Sequence, residues 1–588
     1  MGTISDKLMR IINTKEDIRQ ALISKGYDVP TSIPFKEYAK MILDLPCKVD
    51  SFPDIEGIVA RYSASGLTNE QMAANPVWVD KTGNGHDLQM KNFAWGGMSG
   101  VGGYNQNFNQ WGYGNLSTAT QTHTSYKIEL SVPSTLKTAN IYSNANSIGK
   151  EGDVYDFTLN IVGLKDGALL RITKGVASGV IERIEKDGIY KIYQPIEAGW
   201  DQPRIYIFIS NPNLVDLNIT IEQLPLYPGA LVFDGVDDWA GCDNLPLLPK
   251  EKGYSIIALR NWITRYDATR YKRPLISNLD TNDEGAFLIE YRKDENVNDV
   301  TGSYNSFTDV YIDDNNPITW QTSSSYNGQI IKKGTSKSTN KLCICKTYFG
   351  QLSNYANAAI WEIVILDHDA TEEELTKIKD YFVKTYPWLF PDQAWTVTGK
   401  TNEDEDRATI ANITGNGNDL VLSNFGFAEG SGYNEEGEYA GYLVTDGVDD
   451  MITSSAFNIG KDFTIVGDWK FIDNKKSGTG LVKGSSFYIY NTMIGLDLYI
   501  NSGSVKNSLD GIKSINAACS DGRAYDRNWN EILANTGNVV GSGGILEVSS
   551  SGGRFDRIAF KNLAIYPRIL SKDDCIKAYN YLQTLKSK

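Results

Sequence analysis

Over residues 4–43 the apolar side chains recur at helical spacing. Leu8, Ile11, Ile12, Ile18, Ala21 and Leu22 fall on one stripe, Thr14 is placed to cap a turn with Asp17 three residues on, and Gly26 is placed to end it. Pro34 then opens a second short helix on which Tyr38, Met41 and Ile42 share a face. Two helices of this size cannot build a core, so their stripes must pack on the next domain or on copies of themselves. From Ser51 onward the pattern changes to short alternating runs divided by Gly, Asn and Asp clusters, which predicts antiparallel sheets joined by tight turns.

Four landmarks recur in the same order. Gly66-Leu67-Thr68-Asn69-Glu70 returns as Gly399-Lys400-Thr401-Asn402-Glu403, and Thr82-Gly83-Asn84-Gly85-His86-Asp87-Leu88 as Thr414-Gly415-Asn416-Gly417-Asn418-Asp419-Leu420. Asp234-Gly235-Val236-Asp237-Asp238 returns unchanged as Asp446-Gly447-Val448-Asp449-Asp450, and a strand, turn and amphipathic helix from Glu362 to Tyr381 match Asn562 to Tyr581. The chain therefore reads as two copies of one β-sandwich. Thr414 and Asp446 are 32 positions apart but Thr82 and Asp234 are 152 apart, a difference too large for a loop. The extra stretch carries its own strand-like runs at 126–132, 154–162, 169–173, 205–209 and 217–221, enough for a small inserted β-sandwich. The expected division is a helical segment at 1–46, a first sandwich at 51–114 and 229–390, an insert at 115–228 resembling a carbohydrate-binding module, and a second sandwich at 391–588. The fold class is mainly β.

Composition narrows the function classes. The 588 residues have a net charge of −15 and no basic block that could track a phosphate backbone, so nucleic acid is not an expected partner. No run reaches the roughly eighteen apolar residues of a membrane span, and the polar start lacks an export signal, so a soluble chain with no membrane insertion is expected. Six scattered cysteines without a CxxC pair make no zinc site.

The repeated Asn-Gly and Asp-Gly pairs supply the positive φ angles of hairpin turns. The carboxylates of Asp234, Asp237 and Asp238, and of Asp446, Asp449 and Asp450, are also candidate calcium ligands, with further oxygens needed from other loops. Around the first Asn-Gly turn and beyond it, Phe93, Trp95, Tyr104, Phe108, Trp111 and Tyr113 crowd a loop rich in Gly and Asn. Trp95, Tyr104, Trp111 and Tyr113, with Trp200 on the insert, are candidates for stacking on sugar rings; the competing reading is that the loop rings cover the join between host and insert. A hydrolytic reading has little to stand on. His86, His123 and His368 are the histidines available as a base, there is no Gly-x-Ser-x-Gly elbow, and no Glu-x-Asp-x-Glu strand occurs, so the expectation is a chain that is not an enzyme.

The Thr-Gly-Asn-Gly-x-Asp-Leu turn, the Phe233 to Asp238 strand and turn, and the Ala564 to Asp574 helix entry resemble laminin G-like, concanavalin A-like lectin domains. The stretch from Ile11 to Gly26 is similar to the leader helices of bacteriophage tail and fibre proteins, and the combination resembles appendage proteins of crAss-like phages of gut Bacteroidales. The resemblance implies a virion structural protein assembled in the host cytoplasm. It would be attached to other virion proteins through residues 1–46, be homo-oligomeric, and bind host-surface polysaccharide, with calcium as an optional ion. The alternatives are a head- or tail-decoration protein without a glycan ligand and a polysaccharide depolymerase. Charges placed at Ile11 and Ile18 should release the chain from particles or dissociate its oligomer while both sandwiches stay folded; unchanged sedimentation and incorporation of Ile11→Asp/Ile18→Asp would count against the attachment role.

Overall fold

The computed structural model describes Lys15 and residues 52–587 apart from 115–118, 144–153, 176–178, 197–202, 249–251, 265–271, 281–286, 293–307, 312–316, 323–324, 327–328, 331–337, 351–353, 429, 436, 473–478, 484–486, 492–494, 501–507, 511–514, 534–541, 549 and 552–553. Apart from the helical Lys15, the segment 1–46 lies outside the described residues, as does Trp200. The rest is mainly β, built of antiparallel sheets packed face to face as sandwiches, with few helices.

The first sandwich sets an eight-stranded sheet, centred on Ser255–Trp262 beside Asn357–Leu366, against a seven-stranded sheet that runs through Leu88–Lys91, Trp239–Cys242 and Leu342–Ile344. Tyr62, Trp78, Phe233, Ile256, Ile276 and Ile363 lie in the shared core. The second repeats the arrangement. Thr464–Phe471 lies beside Ile558–Tyr566 in one eight-stranded sheet, and the facing sheet, also of eight strands, passes through Leu420–Ser423 and Met451–Ile459.

In both copies the closing strand carries a bulge at the same place. Register with the neighbouring strand skips Trp361 in the first copy and Lys561 in the second, so two successive residues, Trp361-Glu362 or Lys561-Asn562, are spent against one. The back of each closing strand is covered by the helix that follows it. Glu372–Thr385 begins with a capping box in which Thr371 accepts from the Glu374 amide and the Glu374 carboxylate accepts from the Thr371 amide. Ser571 likewise caps Lys572–Leu582.

Residues 112–223 form two five-stranded sheets around a core of their own, with Ile128, Phe157, Leu170, Ile207 and Ile219 among its members. The strands Lys127–Val132, Val154–Val162, Leu169–Lys174, Ile205–Ser210 and Leu217–Gln223 fall where alternation places them. Thr120–His123, Thr138–Tyr142, Val180–Ile184 and Gly188–Pro195 are further strands of the same two sheets. One sheet of the insert is held against the rest of the chain. Its Asp156 meets Lys191 of the same sheet and Lys561 of the second sandwich (4.0 Å), and Lys561 also lies 5.5 Å from the Tyr193 ring. From the same side the Ile189 amide donates to the Asn528 carbonyl, and the other sheet joins in at its edge strand Val180–Ile184, where Arg527 reaches Glu182 at 3.2 Å.

The two copies differ beneath the helix. In the first, Arg61 and Glu362 form a buried ion pair (3.3 Å); Arg61 donates to the Tyr381 hydroxyl (2.8 Å) and Tyr386 donates to Glu362 (2.8 Å), which fastens the helix and its C-terminal turn to the sheet. By register the second copy has Ala394 and Asn562 at these positions, and Asn562 accepts from the Asp468 amide instead. A buried charge deprived of its partner costs about 3–5 kcal/mol, whereas a neutral side-chain hydrogen bond contributes about 1 kcal/mol. Glu362→Ala should therefore lower the urea midpoint of the first sandwich several times as much as Asn562→Ala lowers that of the second.

Candidate functional site

The repeated motifs close turns. Asp234 Oδ1 accepts from the amides of Val236 (2.7 Å) and Asp237 (3.3 Å), while Asp238 Oδ2 accepts from the Asp234 amide (3.1 Å). Asp446, Val448, Asp449 and Asp450 repeat these bonds. Asn84 ties its turn to the Val59 carbonyl (2.9 Å), as Asn416 does to that of Asp392 (2.7 Å). In each Asp triad the carboxylates approach within 4.8 Å of one another, a donor set that a cation could use only with oxygens from outside the turn. Burial pushes the Asp238 carboxyl up to about 7 and that of Asp450 up to about 6.

Burial corrects the expectation of sugar-stacking faces at Tyr104 and Trp111, whose rings are packing. Trp95 is half-buried and stacked on Phe93 at 4.7 Å, and Phe93 in turn stands edge-on to Phe233. Tyr104 is buried and stacked at 5.0 Å on Tyr126, across the passage into the insert, where Gln106 and Gln223 exchange hydrogen bonds. Trp111 is buried in the insert's core beside Phe108 and Phe157. Tyr113 is half-buried and tilted over His123. A chain that leaves one sandwich to enter another must cover both open ends, and these rings do so. Of the other histidines, His86 donates its amide to Asp80, and His368 bridges Asp367 and Glu374 at the entry to a helix.

A different aromatic row, half-buried like Trp95 and Tyr113, lies on the insert's other sheet. In Ile205–Ser210 the side chains of Ile205, Ile207 and Ile209 are buried in the core, so Tyr206, Phe208 and Ser210 stand on the outer face. Register extends this face across all five strands of the sheet. Tyr206 pairs with Thr173 and Tyr142, and Tyr142 pairs with Gly112; one row further along, Arg183, Arg171, Phe208, Asn140 and Gly114 are successive partners. Tyr142 and Tyr206 are 5.2 Å apart and Tyr206 and Phe208 are stacked at 5.7 Å, forming a row of three rings. Arg204 caps it over Tyr142 (5.5 Å) and Arg171 over Phe208 (5.9 Å). The Tyr142 ring lies over Gly112 so closely that a β-carbon there would collide with it. This is a row of rings flanked by amide and guanidinium groups and mounted on paired strands. Rings of this kind bury area on binding with little loss of side-chain freedom. The strict alternation of Ile with Tyr, Phe and Ser in Ile205–Ser210 is the signal that could have revealed it.

No protein-family profile matches the chain, and no curated protein matches it. Among solved structures, a Trypanosoma rangeli sialidase in complex with 2,3-difluorosialic acid is similar at 9% identity and TM-score 0.23, covering 82% of this chain and 98% of its own. The tandem CBM22 domains of Paenibacillus barcinonensis Xyn10C match at 10% identity and TM-score 0.15, over 46% of this chain and 97% of theirs. The binding domain of botulinum neurotoxin serotype C1 matches at 8% and TM-score 0.20, over 61% of this chain and 90% of its own. The expectation of a chain that is not an enzyme is withdrawn, because the sialidases among these neighbours are enzymes. At these scores the likeness assigns neither an activity nor a substrate.

The turn carboxyls give a test of their environment. Both are harder to ionise in the folded than in the unfolded chain, so their contribution to stability is complete in acid, below the ordinary Asp range. It is lost as the pH rises through about 6 for Asp450 and about 7 for Asp238. The double variant Asp238→Asn/Asp450→Asn should lose less melting temperature than the parent between about pH 5 and pH 8.

Proposed function

We propose that the chain is a virion appendage protein that binds glycans of the host surface, and that the outer sheet of the insert is where it binds them. The observation that carries the reading is the row of Tyr142, Tyr206 and Phe208, half-buried on the outer face of a sheet that meets the second sandwich only by its edge strand among the described residues. Sugar rings present apolar C–H faces ringed by hydroxyls, and a strip of aromatic edges and faces beside Asn140 and the arginines matches both parts of that surface. The virion setting rests on the resemblance of the leader segment and the paired sandwiches to phage appendage proteins, with other virion proteins as partners of residues 1–46.

Purified full-length protein should adhere to gut Bacteroidales cells, and periodate oxidation of the surface glycans should abolish adhesion. Tyr206→Ala and Phe208→Ala should each weaken it about tenfold, the loss of roughly 1.4 kcal/mol of a ring contact, with the melting temperature of the chain maintained. Adhesion that survives periodate, or that is indifferent to both substitutions, would overturn the reading; particle proteomics tests the virion setting separately.

A further inference from the structure

We infer that the ligand of the outer sheet is an acidic polysaccharide, whose carboxylate or sulfate groups are read by Arg171, Arg183 and Arg204; this rests on the glycan reading above and specifies its chemistry. The charge on this face runs against that of the chain, which is −15 overall. Arg171 and Arg183 are direct cross-strand partners on the outer face, and both are exposed. Like charges directly opposite one another on a sheet oppose folding, so the pairing is a cost that an anion lying between the two guanidinium groups would offset. Arg183 is shared with Glu185 (2.6 Å), but among the described residues no carboxylate pairs with Arg171 or Arg204. The Nε of Arg204 is buried without a hydrogen-bond partner, although its guanidinium lies over the Tyr142 ring.

The three cations stand at both ends of the ring row rather than at one. Arg204 lies beyond Tyr142, while Arg171 lies over Phe208 with Arg183 next across the sheet. A polymer with an acidic group on successive residues can therefore meet a guanidinium at each end while its sugar faces cross the rings between them. A neutral glycan could use the rings alone. Guanidinium groups are suited to this because their planar fork matches carboxylate and sulfate oxygens in pairs.

The test uses the full chain with polygalacturonate and with the same polymer after reduction of its carboxyl groups. Polygalacturonate should bind at least about tenfold more tightly at low salt, and the advantage should shrink as sodium chloride is raised. Arg171→Gln/Arg183→Gln should bring the two affinities together without lowering the melting temperature, since the change removes a repulsive pair. Gly112→Val, which displaces the Tyr142 ring, should weaken binding of both polymers. Equal affinity for the two polymers, or a preference that survives the arginine substitutions, would overturn the acidic-ligand inference while leaving the glycan reading in place. Failure of both polymers to bind would remove the inference together with that reading. Tighter binding of a single-stranded oligodeoxythymidylate with the same arginine dependence would assign the face to nucleic acid instead.

Discussion

The architecture depends on a bulge in the strand that closes each sandwich. Asn357–Leu366 and Ile558–Tyr566 are buried along almost their whole length, because the sheet core covers one face and a helix the other. A regular strand places successive side chains on opposite faces, so it cannot aim two neighbours at the same side. The extra residue breaks that alternation and directs Trp361 and Lys561 away from their own cores. Each then makes a joint. Trp361 donates to the Pro228 carbonyl and stands edge-on to Tyr581 of the second copy's helix, whereas Lys561 meets Asp156 of the insert.

These joints decide which surfaces remain available. The insert's sheet containing Val154–Val162 and Gly188–Pro195 is committed to the second sandwich, and burial lowers the affinity of Lys561 for its proton even though Asp156 acts in the opposite sense. Such a pair fixes a mutual orientation more than it adds stability, since desolvation takes back much of the Coulombic gain. The other layer takes part in the joint at its edge, through Glu182 and Arg527, and keeps the outer face of its central strands clear of it among the described residues. Tyr142, Tyr206 and Phe208 occupy that layer because the isoleucines between them have filled the core.

What was legible in the sequence was local. Gly83-Asn84-Gly85 and Asp234 to Asp238 announce their turns because the backbone angles and the side-chain acceptors that close them lie within a few residues, and the helix caps at Thr371 and Ser571 are equally short-range. The β-sandwich class followed from alternation. Which rings face outward was not legible in the same way, because exposure is decided by partners distant in sequence. Trp111 reads as a loop ring until Phe157 is known to stand beside it, and Tyr142 reads as an isolated tyrosine until register places it against Tyr206. The strand Thr138–Tyr142 is the missing piece in that second case.

The comparison of the two copies indicates which rings serve the fold. Trp95 and Phe427 hold equivalent places after the first hairpin and share the same unusual backbone, with φ of 50° and 49°, so an aromatic persists there although its identity changes. A left-handed backbone at a bulky residue costs about 1–3 kcal/mol and is kept only where the surroundings impose it. Both rings stack on an aromatic neighbour beside the core, Trp95 on Phe93 and Phe427 on Tyr433, and this packing explains their retention without a ligand. The row on the insert is built differently: Tyr142, Tyr206 and Phe208 stand on the outer face of their strands, opposite the isoleucines that fill the core, and are held by one another and by Arg204 and Arg171 rather than by a left-handed backbone.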